Sequence, residues 1–161
     1  MKIGIISDSH DNLVNVRKAV SRFKKERSDL VIHLGDFVSP PMIMEFKGLN
    51  LLAVFGNNDG EKFKLIKTFQ EIGGEIKGGF FETELDGLKT AIYHGTESGI
   101  TQALIGSGKY DLVLTGHTHK RMEAKKGKTL AINPGTAHGF GGEATIALFD
   151  TITKKTKFVR L

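Results

Sequence analysis

Apolar residues in this chain gather into six short runs, and each run ends in a cluster of Asp, Asn, His or Gly. Ile3–Ser7 leads to Asp8-Ser9-His10, Leu30–Leu34 to Gly35-Asp36, and Leu51–Phe55 to Gly56-Asn57-Asn58-Asp59. Thr90–Tyr93 leads to His94-Gly95, Asp111–Thr115 to Gly116-His117-Thr118-His119, and Thr129–Ile132 to Asn133-Pro134-Gly135. Short runs rich in Val, Ile and Leu, bounded by Gly and polar residues, read as buried strands. In open sheets of such strands, sites form just beyond the carboxyl ends. The chain thus puts nearly all its metal-binding side chains where a site is expected.

Between the runs the period changes. Leu13, Val16, Val20 and Phe23 recur at helical spacing, Arg17, Lys18, Arg22 and Lys24 fall off that stripe, and Asp11 or Asn12 is placed to cap the helix. Pro40 and Pro41 suit the start of a short second helix with Ile43 and Phe46 as its apolar contacts. Lys62–Ile72 reads as a third helix, and Ser98–Gly106 as a fourth that Gly99 weakens. Asp86-Gly87 between Phe80–Leu85 and Leu88–Tyr93 marks a hairpin. Arg121–Lys125 and Thr129–Asn133 flank a Lys-Gly-Lys turn, and Ala144–Asp150 with Thr156–Leu161 reads as a closing hairpin. The order is βαβαβ, then mainly antiparallel strands. It predicts an α/β fold of two sheets packed face to face with helices outside.

The 161 residues read as one domain, 1–161, long enough to bury a core without staples. With no cysteine, disulfides, thiolate metal sites and a cysteine nucleophile are excluded. No run approaches the roughly 18 apolar residues of a membrane span, and the first apolar stretch is too short for a secretory signal. A cytoplasmic location and no membrane partner are expected. The net charge of +5 is compatible with an anionic ligand but reads first as a lysine-rich solvated surface.

The candidate chemistry lies in seven side chains. Strand residues two apart share a face, so Asp8 with His10, and His117 with His119, are expected to reach one point from a strand end. Asp36, Asn57 and His94 each follow a separate strand. A mixture of Asp, Asn and His without sulfur suits Mn, Fe, Co, Ni or Zn. A dinuclear site explains the number: if one Asp bridges, seven residues give four ligations to each metal. Two such ions hold a phosphate, stabilise in-line displacement and lower the pKa of bound water to about 7. No serine nucleophile is then needed.

In this order, Asp8-x-His10, Gly35-Asp36, Gly56-Asn57-Asn58-Asp59, His94-Gly95 and Gly116-His117-Thr118-His119 resemble the motifs of the calcineurin-like metallophosphoesterases. The short length, the Asn-Asn-Asp form of the third motif and Asn133-Pro134-Gly135 resemble most its small bacterial and archaeal phosphodiesterase branch. The resemblance covers almost the whole chain. It implies a four-layer αββα sandwich of two mixed sheets with flanking helices. It also implies one metal on Asp8, His10, Asp36 and His119 and a second on Asp36, Asn57, His94 and His117, with Asp36 bridging. Mn or Ni is commonly favoured in similar proteins. The activity implied is hydrolysis of a small phosphodiester by attack of a metal-bridging hydroxide on phosphorus.

One position departs from the pattern. Many relatives carry His where this chain has Asn58, in a role of protonating the leaving oxygen or stabilising the transition state. Asn donates a hydrogen bond but is no practical general acid. Asn58 is therefore assigned to phosphate contact and transition-state stabilisation, and weak activity on poor leaving groups is expected. Asn12 is a second candidate for substrate contact, against a competing role as helix cap. Asp59 reads as a support behind the ligands or a cap for the following helix, His33 as a packed or supporting histidine, Asn133 as ordering the site loop, and His138, in a Gly-rich loop, as a weaker candidate for substrate contact.

Two rival functions carry their own signatures. The retromer complex contains a subunit of similar fold that acts chiefly in protein interaction; that scaffold role goes with degraded ligands, whereas here the set is intact. A nuclease needs a basic groove with stacking residues, and this chain has no Trp, two Tyr and no long insert, so a nucleic acid strand is not an expected partner. Edge strands in the second half leave homo-oligomer pairing open.

Overall fold

The computed structural model describes residues 1–161. In chain order the elements are β1 (Lys2–Ile6), α1 (Leu13–Glu26), β2 (Leu30–His33), α2 (Pro41–Met44), β3 (Leu51–Ala53), α3 (Lys62–Ile72) and β4 (Glu75–Ile76). Then follow β5 (Phe80–Leu85), β6 (Leu88–Tyr93), α4 (Ser98–Gly106), β7 (Leu112–Leu114), β8 (Arg121–Lys126), β9 (Thr129–Pro134), β10 (Thr145–Asp150) and β11 (Lys155–Arg160). One sheet has the order β11-β10-β1-β2-β3-β4, the other β5-β6-β7-β9-β8. Both are mixed.

Strand alternation explains the layers. Ile3 and Ile5 of β1, and Leu30 and Ile32 of β2, face the other sheet, where they meet Ile92, Leu112, Leu114 and Ile132. Ile6 and Val31 face the opposite way, onto the apolar stripe Val16, Ala19, Val20 and Phe23 of α1 and onto Phe46, Leu65 and Phe69 from the α2–α3 side. Gly4 lies under Phe23: a Cβ there would sit 2.5 Å from Cδ1 of that ring. On the far side, Ala91, Val113 and Ala131 pack against Leu104 and Ile105 of α4. The result is helices, sheet, sheet, helix: the expected αββα sandwich. Strands covered on both faces read as continuous apolar runs rather than alternating ones.

The second half differs from expectation in one respect that matters for the site. Its hairpins β5–β6 and β8–β9 are antiparallel, but β6–β7 and β7–β9 pair in parallel. In the first sheet β1, β2 and β3 are parallel too. The central strands of each sheet thus bring their carboxyl ends to one edge. Had β6 and β7 been antiparallel, His94 and His117 would leave from opposite ends. The closing hairpin β10–β11 joins the first sheet through β1 rather than extending the second. The two-residue edge strand β4 was not foreseen; it is too short to leave a periodic signal. No helix is long and apolar enough to cross a membrane.

Candidate metal centre

Asp8 and His10 follow β1, Asp36 follows β2, Asn57 and Asn58 follow β3, His94 follows β6, and His117 and His119 follow β7. All lie in loops beyond the strand ends, so strand alternation is not what aims them. The loops turn through left-handed backbone instead: φ is 53° at Asp8, 38° at His10, 59° at Asp36, 64° at His117 and 59° at His119. Only a few per cent of non-glycine residues take such angles, with Asp, Asn and His favoured. The loops hold one another in place, Asp8 N–H donating to Gly35 O (3.0 Å) and His10 N–H to Asp36 O (3.1 Å).

The side chains converge. Asp36 Oδ2 lies 3.5 Å from His10 Nε2 and 3.4 Å from His94 Nε2, between the two rings. Asp8 Oδ1 lies 3.2 Å from His119 Nε2, 3.9 Å from His10 Nε2 and 4.0 Å from His94 Nε2. Asp8, His10 and His119 form one group whose ligand atoms fit around a single ion, and Asp8, Asp36 and His94 form another. Asn57 Oδ1 is 3.1 Å from His94 Nε2, and the His117 ring is 5.2 Å from that of His94. The structure thus brings Asp8, His10, Asp36, His94 and His119 into two groups that could hold an ion, and sets Asn57 and the His117 ring beside His94.

The local electrostatics fit a cation. His94 Nδ1–H donates to Leu34 O at 2.7 Å, which in the neutral ring leaves Nε2 a lone pair facing Asn57 Oδ1 and Asp36 Oδ2. Three acceptors meeting at one point require a proton or a metal between them. Burial would lower the His94 pKa, but Asp36 and Asp8 raise it above the ordinary value. Burial pushes the Asp36 carboxyl up, yet His94 and the two Asn58 donors outweigh it and hold the group well below the carboxylate range. Asp8 Oδ1 and His10 Nε2 are buried without hydrogen-bond partners. A buried polar atom left so is costly, and here both atoms point into one cluster. Divalent ions held by imidazole and carboxylate fit this donor set.

Behind the ligands stands a set of supports. Asp59 accepts from four backbone N–H groups: Phe37 (2.7 Å) and Val38 (2.9 Å) on Oδ1, Asp36 (2.9 Å) and Gly56 (2.7 Å) on Oδ2. It thereby fixes the turn that carries Asp36. His33 is fully buried; Nδ1 accepts from Gly35 N–H (3.2 Å), so Nε2–H donates to Ser9 Oγ (3.1 Å), and Ser9 reaches Asp36 O. Burial, with His94 and His10, holds the His33 pKa well below its usual value. Asn133 Nδ2 donates to Gly116 O (2.7 Å) and its Oδ1 accepts from Gly135 N–H (2.9 Å), fastening the two loops. A Cβ on Gly56 would run into the Asp36 carboxylate, and one on Gly116 into Ser7, so both glycines are demanded by close approach.

The remaining candidates fall in different places. Asn58 sits on the exposed side and donates to Asp36 through both its backbone (2.8 Å) and its side chain (2.7 Å). Asn12, a candidate for helix cap and for substrate contact, caps α1: Oδ1 accepts from Asn15 N–H (3.1 Å), and Nδ2 donates to His138 O (3.1 Å). Sequence reading gave Thr136 no part, yet its hydroxyl donates to Asp8 O (3.0 Å); no spacing signal marks such a contact. A cavity of about 420 Å³ lined by Leu88, Asp111, Lys125 and Lys128 among others shares no residue with the centre.

A four-layer sandwich with Asp, Asn and His gathered at the joint carboxyl edge of both sheets defines the metallophosphoesterase class. A calcineurin-like phosphoesterase superfamily domain matches residues 1–154, and the chain belongs to that superfamily. It is 44% identical to a phosphodiesterase of Methanocaldococcus jannaschii over all of this chain and 99% of the relative. A solved structure of an archaeal phosphodiesterase superposes with a TM-score of 0.95 at 43% identity, covering both chains fully. A structure of a single mutant of Entamoeba histolytica Vps29 (TM-score 0.73, 17% identity, 100% of this chain and 99% of that one) shares the fold alone.

Proposed function

We propose that this protein is a phosphodiesterase that works with two divalent transition-metal ions. Asp8, His10, Asp36 and His119 would hold one ion, and Asp36, Asn57, His94 and His117 the other, Asp36 being common to both sets. The observation that carries the reading is the gathering of Asp8, His10, Asp36, His94 and His119 into two groups that could each hold an ion, with Asp8 Oδ1 and His10 Nε2 buried and without a partner in the protein. The likeness to a named phosphodiesterase along the whole chain supports the diester as substrate. Two such ions, Mn or Ni by preference, would supply charge stabilisation for phosphoryl oxygens and a water acidic enough to act as nucleophile at neutral pH.

The chain's own residues supply the rest. Asp59 and His33 hold the Asp36 turn rigid, which keeps the ligand geometry fixed without rearrangement during turnover. Asn58, exposed beside Asp36, turns its carboxamide N–H toward a phosphoryl oxygen as negative charge grows there. It donates no proton, so the leaving group departs unprotonated or takes its proton from solvent.

The test is hydrolysis of bis-p-nitrophenyl phosphate by chelator-stripped protein, with Mn²⁺ or Ni²⁺ returned and Asp36→Asn as control. Turnover restored by metal and lost in the variant is expected. No turnover with both ions demonstrably bound would overturn the reading and move attention to protein partners.

A further inference from the structure

Residues 138–142 form a short loop next to the centre. His138 lies beside His10, ring centroids 5.9 Å apart, and Phe140 lies beside His138, 5.2 Å apart with planes tilted by 34°. Three rings therefore lead outward from a candidate ligand to an aromatic side chain that is 78% exposed. A single exposed Phe normally needs no explanation. This one differs in how it is held.

The base of the loop is fastened to the site itself. Ala137 N–H donates to Ser7 O (2.9 Å) and His138 N–H to Asp8 O (3.0 Å). His138 O accepts from Asn12 (3.1 Å) and Asn15 (3.2 Å) at the start of α1. Thr136 pairs with Ala144 across the loop's neck. The tip is a tight turn closed by Gly142 N–H on Gly139 O (3.2 Å), with φ of 76° at Gly139 and 70° at Gly141. That turn sets Phe140 out from the surface, with no core cluster to enter. The backbone of Ala137 and His138 is thereby tied to the Asp8 loop, and the Phe140 ring lies against His138 with its outward face free.

We propose that Phe140, backed by His138, is a stacking platform for a nucleobase, and that the substrate is a nucleotidyl phosphodiester rather than an alkyl diester. A base lies one sugar away from its phosphate, which is the reach needed from a phosphate at His10 and His119, across His138, to Phe140. Every base offers a π face to an aromatic side chain, so such a platform selects for the presence of a base and little for its identity. The inference rests on the phosphodiesterase reading for its phosphate and names the group that phosphate carries.

Calorimetric titration of the Mn²⁺-loaded protein with adenosine 5′-monophosphate and with methyl phosphate separates the two halves of the ligand. Wild type is expected to bind the nucleotide about tenfold or more tightly than methyl phosphate. Phe140→Ala and Phe140→Leu should bring the two affinities within about threefold, whereas Phe140→Tyr keeps the preference. Methyl phosphate binding and the melting temperature should be unchanged in all three variants. Equal affinities in wild type, or a preference that survives Phe140→Ala, would overturn the platform. Hydrolysis of bis-p-nitrophenyl phosphate by the same wild-type preparation is read alongside. Turnover without a nucleotide preference sinks the platform and spares the phosphodiesterase. A preference lost in Phe140→Ala without turnover does the reverse.

Discussion

Asp59→Asn isolates the support behind the metal centre. The wild-type carboxylate is 2% exposed and accepts from four backbone N–H groups, two on each oxygen. The carboxamide keeps one oxygen, so two N–H groups lose their acceptor and face an NH₂ donor. A buried donor left without a partner costs about 1–3 kcal/mol, which sums to about 2–6 kcal/mol for two. Removing a buried charge returns part of this: burial already pushes the Asp59 carboxyl above its ordinary pKa, against the pull of the Val38, Gly56 and Asp36 N–H groups. A net loss of about 3 kcal/mol is expected. With a urea m-value of about 1–3 kcal/mol/M for small proteins, the unfolding midpoint should fall by roughly 1–3 M. Because one of the N–H groups belongs to Asp36, metal affinity should fall as well, measured by titration of folded variant in low urea. A stability loss under about 1 kcal/mol, with wild-type metal affinity, would refute the idea that Asp59 holds the Asp36 turn.

Gly56→Ala should cripple metal binding while the rest of the fold persists, because its Cβ collides with the Asp36 carboxylate; circular dichroism with a metal titration checks this. Gly4→Ala forces Phe23 out of its place, and its urea midpoint should report an overpacking cost of about 1–3 kcal/mol. Mn²⁺ at 100 times its Kd should stabilise the protein by about 2.7 kcal/mol, seen as a melting temperature raised by roughly 5–10 °C, and Asp36→Asn should blunt that rise. With Asn58 in place of an acid, nitrophenyl diesters should outrun alkyl diesters in a rate comparison, and equal rates would refute that account.

Most strands and all four helices were legible because burial on both sheet faces leaves unbroken apolar runs, while the amphipathic α1 leaves a stripe. Strand direction was not. Nothing in Leu112–Leu114 says whether it runs with or against β6; that depends on α4 crossing between them, and α4 has no fully buried residue to announce its packing. The seven candidate side chains are legible by residue type at the run ends, and their place beyond the strands holds; only the pairing of neighbours has another cause. Asp8 with His10 and His117 with His119 are paired by left-handed turns, not by the two-residue period of a strand. Asp59 was read only as a general support or a helix cap, since four backbone donors on one carboxylate come from chain segments about twenty residues apart.

The distribution of strain argues for chemistry over scaffolding. Ten non-glycine residues have positive φ, and seven of them, Asp8, His10, Asp11, Asp36, Val38, His117 and His119, are candidate ligands or within two residues of one. Val38, at φ 79°, is β-branched and ill suited to that region. Such backbone persists only when its surroundings over-determine it, and costs of order 1–3 kcal/mol at each residue. Here the surroundings are Asp59, His33 and Asn133, buried polar groups that themselves cost free energy to desolvate. A surface that only docks a partner gains nothing from holding Asp8 Oδ1 and His10 Nε2 buried and unsatisfied. A site that must present fixed ligands to a metal ion gains a geometry ready before substrate arrives. Seven of the ten strained residues, the supports, and the unpartnered Asp8 Oδ1 and His10 Nε2 coincide at one edge of the sandwich, which is the pattern a metal centre requires.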